Sequence, residues 1–551
     1  MSEFNLVDRP WIRVLGNDGQ VDTVSLLELF RSVHVYKALS NELPTVDLAI
    51  FRLLLGVVYG TFSNQDSQGN RIVFDSPLEL REHWYEIWQQ GAFDSELFRD
   101  YLSQYRARFD LFSESVPFMQ TVGLQRVNDP KKLTAKPYNE LATVIEVVPS
   151  RVDRRYFTER VEAGVSSLSF DEAARWLVTF QAYDYAGKKS AVVGGTKDGG
   201  GTGWLGKIGA VVNLGDNLFE TLMLNYVCFD ELREPVRGKN YWEQPYFSSP
   251  AKRNRTPVNF IELLTWQSRR CLLFREGDRV VGILASYGDV FDKNNLQSLE
   301  LMCGWHESSV KSKNDGRKPF IPNKHDPSRQ MWRNLPNFLV QKEGGDRYRA
   351  QVLNWIGDLE ENQKFNRNQI HIWTVGVEFG PMDANINQIV TDSLTINAAL
   401  LSELSNGLIE LVLEVLDTTD KIVNRYGRLL ENLAQASGLK RSDKDQKFKA
   451  IFPRAKGEFY ALLDQPFREW LSAMDNHRLP IDLQNQWYEQ VRAILTVTVD
   501  EKLNQVSNSA IVGCDTDGKR INAALAERWF WSAVNKLIPL RQKGTYNETN
   551  P

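Results

Sequence analysis

Cysteine and histidine are scarce in this 551-residue chain, with 4 and 6 copies. Cys228, Cys271, Cys303 and Cys514 stand far apart and form no CxxC pair. That excludes a zinc ribbon and a disulfide framework, and thiols so scattered read as small buried hydrophobes of a cytoplasmic chain. His34, His83, His306, His325, His371 and His477 show neither HExxH nor paired-ligand spacing, so no metal centre is expected. A GxSxG nucleophile elbow is missing too. No uninterrupted apolar run reaches the roughly eighteen residues of a transmembrane helix, so none is expected. Met1–Asn5 lacks the basic and apolar regions of a secretion signal. Charge of one sign is also lacking: 66 Lys+Arg face 70 Asp+Glu, a net charge of -4. A strongly basic, free-standing nucleic-acid binder is thereby excluded, and any phosphate contact must come from local patches or from a larger assembly. Apolar residues are plentiful at 42%, with 15 Trp, 18 Tyr and 28 Phe, so the chain is not disordered.

Alternation over 4–14 and 20–26, around Gly16-Asn17-Asp18-Gly19, predicts two strands joined by a turn. Thr45-Val46-Asp47-Leu48 opens a strongly apolar helix, and further helices are predicted near 77–91, 94–105 and 170–183. Segments 207–214, 278–286 and 369–379 read as strands. From about residue 393 prolines thin out and 3.6-residue periodicity dominates, over 396–417, 419–437, 457–474, 482–504 and 519–541. The expected class is α+β: a large mixed domain over 1–392, then an all-α bundle of the four-helix type over 393–551.

The most unusual stretch is Gly194-Gly195-Thr196-Lys197-Asp198-Gly199-Gly200-Gly201-Thr202-Gly203; seven positions from 194 to 206 are glycine. Such a loop lets backbone approach a ligand closely and offers unhindered amides to phosphate. Gly201-x-Gly203-x-x-Gly206 matches a dinucleotide fingerprint formally, but a strand, not a helix, is predicted after it. An inert connector and a contact with a polyanion groove both remain open. Two segments carry seven cations against two acids: 311–333, with Lys311, Lys313, Arg317, Lys318, Lys324, Arg329 and Arg333, and 440–456, with Lys440, Arg441, Lys444, Lys447, Lys449, Arg454 and Lys456. Such patches bind phosphate without reading sequence, or are simply solvated faces. His325-Asp326 matches the core of a metal-dependent phosphohydrolase, which makes a nuclease the alternative reading. A helical scaffold that binds only proteins is a third.

Asn5-Leu6-Val7-Asp8-Arg9-Pro10-Trp11-Ile12, Pro117-Phe118-Met119-Gln120-Thr121 and the glycine loop occur in an order that resembles the CasA-type large subunit of type I-E CRISPR Cascade surveillance complexes. The resemblance in length and order extends over the whole chain. It implies a subunit without catalysis or cofactor that inspects double-stranded DNA for a protospacer-adjacent motif (PAM) from the minor groove. It also implies initiation of strand separation and R-loop formation, and help in recruiting the helicase-nuclease. The implied partners are target duplex, that helicase-nuclease, and the guide-RNA-bound backbone, small and guide-end subunits. On this resemblance Gly194, Gly195 and Lys197 belong to the groove-reading loop, and Lys311 or Lys313 is the lysine finger. Gly380-Pro381-Met382-Asp383-Ala384-Asn385 is the strand-separating wedge, departing from the expected Gln-Ala at its tip. Tyr156-Phe157-Thr158-Glu159 is the loop that docks on the guide-RNA end. The cysteine cluster of some relatives is missing, and no zinc is inferred.

Overall fold

A computed structural model describes residues 3–539 except 63–65, 71–72, 75, 128–135, 146–165, 197–198, 231, 312–315, 340–344, 366, 403, 405, 441–444, 475–477 and 517–518. Packing divides the chain into two units, Met1–Met331 with Asn337–Leu394, and Trp332–Pro336 with Thr395–Pro551.

The first unit is built around the helix Pro44–Phe62, nearly all of whose residues are buried. Against expectation, this helix has the length and apolarity to cross a membrane. The helix itself is expected from its apolar spacing, and Asp47, Arg52 and small polar residues keep it from being an uninterrupted apolar run. In the fold Arg52 is buried and meets the equally buried Glu300 at 2.9 Å, and Trp204 Nε1 donates to the same carboxylate at 2.6 Å. A charge so placed is tolerated only when paired and hydrogen-bonded.

Predicted helices are found at Pro77–Gln90, Ser95–Gln104 and Phe170–Tyr183. Ser76 caps the first, with Glu79 completing a capping box and Gly91 ending it in the left-handed region. The strand expected over 4–14 is instead Ile12–Gly16, paired with Val21–Val24 and with Tyr36–Leu39. Residues 5–9 turn rather than extend, because Asn5 accepts from the amides of Asp8 and Arg9. The hairpin Arg269–Glu276/Arg279–Tyr287 matches the 278–286 expectation.

A second three-stranded sheet has Gln369–Phe379 at its centre, flanked by Ile386–Asn397 and Ala210–Leu214. The last is shorter than the predicted 207–214, since Leu205–Lys207 form a single 3-10 turn. Val375 pairs with Ala210 and His371 with Leu214 in antiparallel register. Continued outward, that register brings Gly206 beside Phe379, whose ring a Cβ on the glycine would strike at 2.7 Å. The sheet therefore sets the end of the glycine loop next to the tip of the 369–397 hairpin.

The second unit holds four long helices, Asn406–Ala436, Gln446–Ser472, Pro480–Asn504 and Ala523–Leu537, with a short helix Asn508–Val512 and a small hairpin over 514–521. Helix 406–436 contacts every other one. The two helices expected over 396–417 and 419–437 are one, and residues up to Asn397 belong to the preceding strand. Thr418 and Thr419, where the two expected helices would adjoin, are buried inside the single helix, and Thr419 Oγ1 accepts from Trp487 Nε1 at 2.9 Å. Helix 446–472 begins well before the expected 457 because it accommodates Pro453 and Pro466. Gly438, at φ +97°, ends helix 406–436, and the amide of Leu439 returns to the carbonyl of Ala434.

Candidate nucleic-acid interface

Strand 369–379 ends in the turn 380–385, from which strand 386–397 returns, so the wedge candidate is the tip of a long hairpin. The Gly380 amide donates to the Asn385 carbonyl at 2.9 Å, and the Asp383 amide to the Gly380 carbonyl at 3.0 Å. Inside this closed turn Met382 and Asp383 lie at φ +60° and +53°. Neither is glycine, and each such residue costs on the order of 1–2 kcal/mol. The strain serves projection: Met382 is 91% exposed, an apolar side chain held out into solvent.

The glycine-rich loop is held at both ends. Its carboxyl end is seated against helix 170–183, where a Cβ on Gly203 would meet the Ala182 carbonyl oxygen at 2.3 Å. The buried Arg269 organises this end, donating to the carbonyls of Asp184, Tyr185 and Gly201 at 2.8–3.1 Å and pairing with the Asp184 carboxylate. At the amino end Gly194 takes φ +71°, and the Gly195 amide donates to the Val192 carbonyl at 3.0 Å. Lys252 braces the middle, its amide donating to Thr196 Oγ1 at 3.1 Å and its ammonium to the Gly199 carbonyl at 3.2 Å. Gly199 itself is exposed, with open space where a Cβ would stand. Lys197 lies outside the described residues.

The segment between helix 170–183 and the glycine loop meets the hairpin tip: the Ala186 amide donates to the Asp383 carbonyl at 2.8 Å. Around this junction gather Lys207, Lys293 and Lys324. Burial, then the fields of Arg269 and Lys293, push the Lys207 ammonium down to about 8 against the pull of Asp383 and Asp292. Burial also lowers Lys324, with Asp383 and Glu378 opposing and Lys293 adding to the effect. Lys293 is exposed beside both. Three ammonium groups, exposed glycine backbone and one projecting apolar side chain lie near one another here, and the positive charge suits a polyanion.

Of the expected finger lysines, Lys311 is exposed in the loop between strands Trp305–Glu307 and Phe320–Pro322, and Lys313 lies outside the described residues. Nothing described joins Lys311 to the glycine loop or to 380–385. The rest of that cluster is partly committed: Lys318 pairs with Glu307 at 3.0 Å, and Arg329 stands 3.7 Å from Asp326. Tyr156-Phe157-Thr158-Glu159 also lie outside the described residues. Sequence reasoning missed the convergence of Lys207, Lys293 and Lys324, although Lys324 belonged to a cluster it noted and Lys207 follows the glycine run. Lys293, between Asp292 and Asn294, gave no signal.

The surroundings of His325 and Asp326 give the phosphohydrolase alternative no support. His325 Nε2 lies 3.0 Å from the Ala210 carbonyl, and the ring covers Gly209 and Gly376. Asp326 accepts from the amide and hydroxyl of Ser328 at 2.9 and 2.6 Å. Among the described residues no three of His, Cys, Asp and Glu converge on a metal-sized space. Cys228, Cys271 and Cys303 are buried as expected, whereas Cys514 is only half-buried.

A family model described as CRISPR-associated protein Cse1 matches residues 5–498. The CRISPR-associated protein CasA/Cse1 of Thermus thermophilus is 27% identical over 285 residues, 51% of this chain and 51% of that protein, so the match spans about half of that relative's length. Cse1 of Thermobifida fusca, a crystal structure, superposes with a TM-score of 0.82 at 28% identity, over 98% of this chain and 99% of that one. A chain of a solved CRISPR RNA-guided surveillance complex shares the fold, with a TM-score of 0.62 at 16% identity over 97% of this chain and 100% of that one.

Proposed function

The chain belongs to the CRISPR-associated Cse1 family, and from that membership we propose that it is the non-catalytic large subunit of a CRISPR RNA-guided surveillance complex. In this reading it recognises a PAM in double-stranded DNA from the minor groove and begins duplex opening. It then helps to recruit the helicase-nuclease. The observation that carries the reading is the neighbourhood of Asp383, where the segment leading into the glycine-rich loop bonds the hairpin tip, Lys207 and Lys324 feel the Asp383 charge, and Met382 projects into solvent. A minor groove about 6 Å wide admits backbone and slender side chains, and it mainly separates A·T from G·C pairs. A reader made of glycine backbone and lysine should therefore accept several related motifs. Guide pairing would supply target identity, with the protein supplying motif reading and initiation. Lys197, Lys311, Lys313 and the loop Tyr156–Glu159 keep the roles the resemblance implies as part of this proposal, with Lys293 added as a finger candidate.

Gly199→Val tests the reading more cleanly than changes at Gly194 or Gly195, because its site is open and its backbone is not left-handed. Valine there should leave the melting temperature unchanged. In the assembled complex it should remove the preference for motif-bearing over motif-free duplex, since a branched side chain holds the backbone off the groove floor. Unchanged preference would reduce the loop to a connector.

A further inference from the structure

A second cationic feature lies beside the glycine loop and takes no part in the surface just described. The segment after Pro250, which Gly194 faces and whose Lys252 braces Thr196 and Gly199, runs on into the mouth of a cavity of about 50 Å³. Four arginines line it, Arg108, Arg253, Arg255 and Arg270, against two carboxylates, Glu262 and Asp289, which leaves two positive charges unmatched. Both carboxylates are buried and fully engaged. Asp289 accepts from Arg253 at 2.5 Å, from Arg255 at 3.0 Å and from Arg270, while Glu262 pairs with Arg255. Aromatic rings fix the guanidinium planes: Arg253 lies 3.7 Å from the Phe247 centroid and Arg255 4.4 Å from that of Trp266. Thr265, also in the lining and 97% buried, has a hydroxyl with no hydrogen-bond partner among the described residues.

We propose that this cavity binds a phosphate group. The forks of Arg253, Arg255 and Arg270 are held by these ion pairs, and Arg108 donates to the carbonyls of Tyr241 and Gln244. The surplus positive charge, the guanidinium N–H groups these bonds do not use and the orphaned hydroxyl are complementary to a tetrahedral oxyanion. A single water needs roughly 10–15 Å³ of such space, so the cavity admits a group of a few heavy atoms and excludes a base with its sugar. Arg253 and Arg255, about one-third exposed, leave the mouth open to a ligand from solvent. A backbone phosphate of DNA is one source and a free phosphate or nucleotide is the other. Only the first rests on the function proposed above.

Calorimetric titration of the full chain with inorganic phosphate, at constant ionic strength in chloride, decides whether the site exists. One phosphate per chain is expected. Thr265→Val, which removes only the orphan hydroxyl, and Arg253→Gln should each weaken binding, the latter about tenfold as befits a charge-assisted hydrogen bond. Absence of phosphate-specific heat, or equal affinity in both folded variants, overturns the proposal. Duplex binding by the assembled complex then identifies the source. If Arg253→Gln weakens motif-bearing and motif-free duplexes alike and lowers the salt slope by about 1, the phosphate belongs to the DNA backbone. If duplex binding is unchanged while phosphate binding is lost, the site stands and its ligand is a free phosphate. Failure of the groove reading, seen with Gly199→Val, leaves the phosphate titration untouched.

Discussion

The Ala186 amide and the Asp383 carbonyl, 2.8 Å apart, join two segments that the sequence keeps far from each other. One leads from helix 170–183 into the glycine loop, and the other is the strained tip of the 369–397 hairpin. Since the bond uses backbone atoms only, asparagine, which tolerates the left-handed conformation of residue 383 as aspartate does, preserves it. Asp383→Asn should therefore leave the fold intact while removing a negative charge from among Lys207, Lys293 and Lys324. Duplex affinity should rise a few-fold at low salt, and the gain should shrink as salt screens it. A fall in affinity would mean that Asp383 itself meets the DNA.

Lys207 gives the surface a pH dependence. Its pKa of about 8 means that the ammonium is lost between pH 7 and 9, within the range of ordinary binding assays. A nearby phosphate favours the charged form, so duplex affinity should fall across that window by a few-fold, on the order of 1 kcal/mol for one charge pair near water. Stability changes in the opposite sense. The folded-state pKa lies below the usual lysine value of about 10.4, so this group's contribution to stability rises as pH climbs from about 8 to that value. Weaker binding at pH 9 would then not reflect unfolding at this site. Lys207→Arg stays charged and should flatten the profile; an unchanged profile would take Lys207 out of the interface.

His325 should behave as a structural residue. Burial lowers its pKa, and the neutral ring hydrogen-bonds the Ala210 carbonyl. Because the folded pKa lies below the ordinary value of about 6.5, the associated stability is present above that pH and is lost as the solution is acidified below it. His325→Ala should lower stability by about 1–3 kcal/mol, the cost of an unpaired buried carbonyl. It should change no cleavage activity, and chelator should not shift the melting temperature. Metal-dependent cleavage abolished by His325→Ala would restore the phosphohydrolase reading.

What the sequence disclosed follows from how local each feature is. Strand 369–379 was legible because it is rich in β-branched and aromatic residues, and helix 170–183 because its apolar face is complete. Helix 446–472 was shortened because Pro453 reads locally as a stop, although tertiary packing carries the helix through it. The wedge candidate followed from the strand that leads into it. The lysine cluster did not, because it depends on the pairing of Val375 with Ala210 and on Gly206 meeting Phe379, contacts that no local pattern encodes. Trp332–Pro336 shows the same limit. It lies in sequence within the first unit yet packs with the helices, as the Trp332 ring stacks on Phe467 at 4.4 Å and its Nε1 donates to Asp464 at 2.8 Å.

Trp332 therefore contributes to the stability of the helical unit rather than to that of its sequence neighbours. Trp332→Ala opens a cavity against Phe467 and strands Asp464, and should cost about 3–5 kcal/mol. Hydrogen exchange should show that loss in helices 406–436 and 446–472, with protection of strands 369–379 and 386–397 maintained. Loss confined to the strands would mean that the segment is not part of the bundle core.

Met382 carries the sharpest prediction, because strain and function make opposite demands on it. At φ +60° a methionine is conformationally costly and a glycine is not, so Met382→Gly should stabilise the chain by about 1 kcal/mol if nothing else changes. At 91% exposure the side chain makes few contacts whose loss could offset that gain. Should the apolar tip unstack a base step, the same change removes the group that does so, at a step costing a few kcal/mol. Met382→Gly in the assembled complex should then raise the melting temperature and slow R-loop formation on a fully paired target. Met382→Leu should keep most of the rate, because it retains an apolar side chain. A target whose two DNA strands are already mismatched beside the motif should restore the rate of the glycine variant, since no opening energy is then required. Equal slowing on paired and pre-opened targets would place the defect in groove binding, and an unchanged rate on both would leave the strained turn without a part in opening DNA.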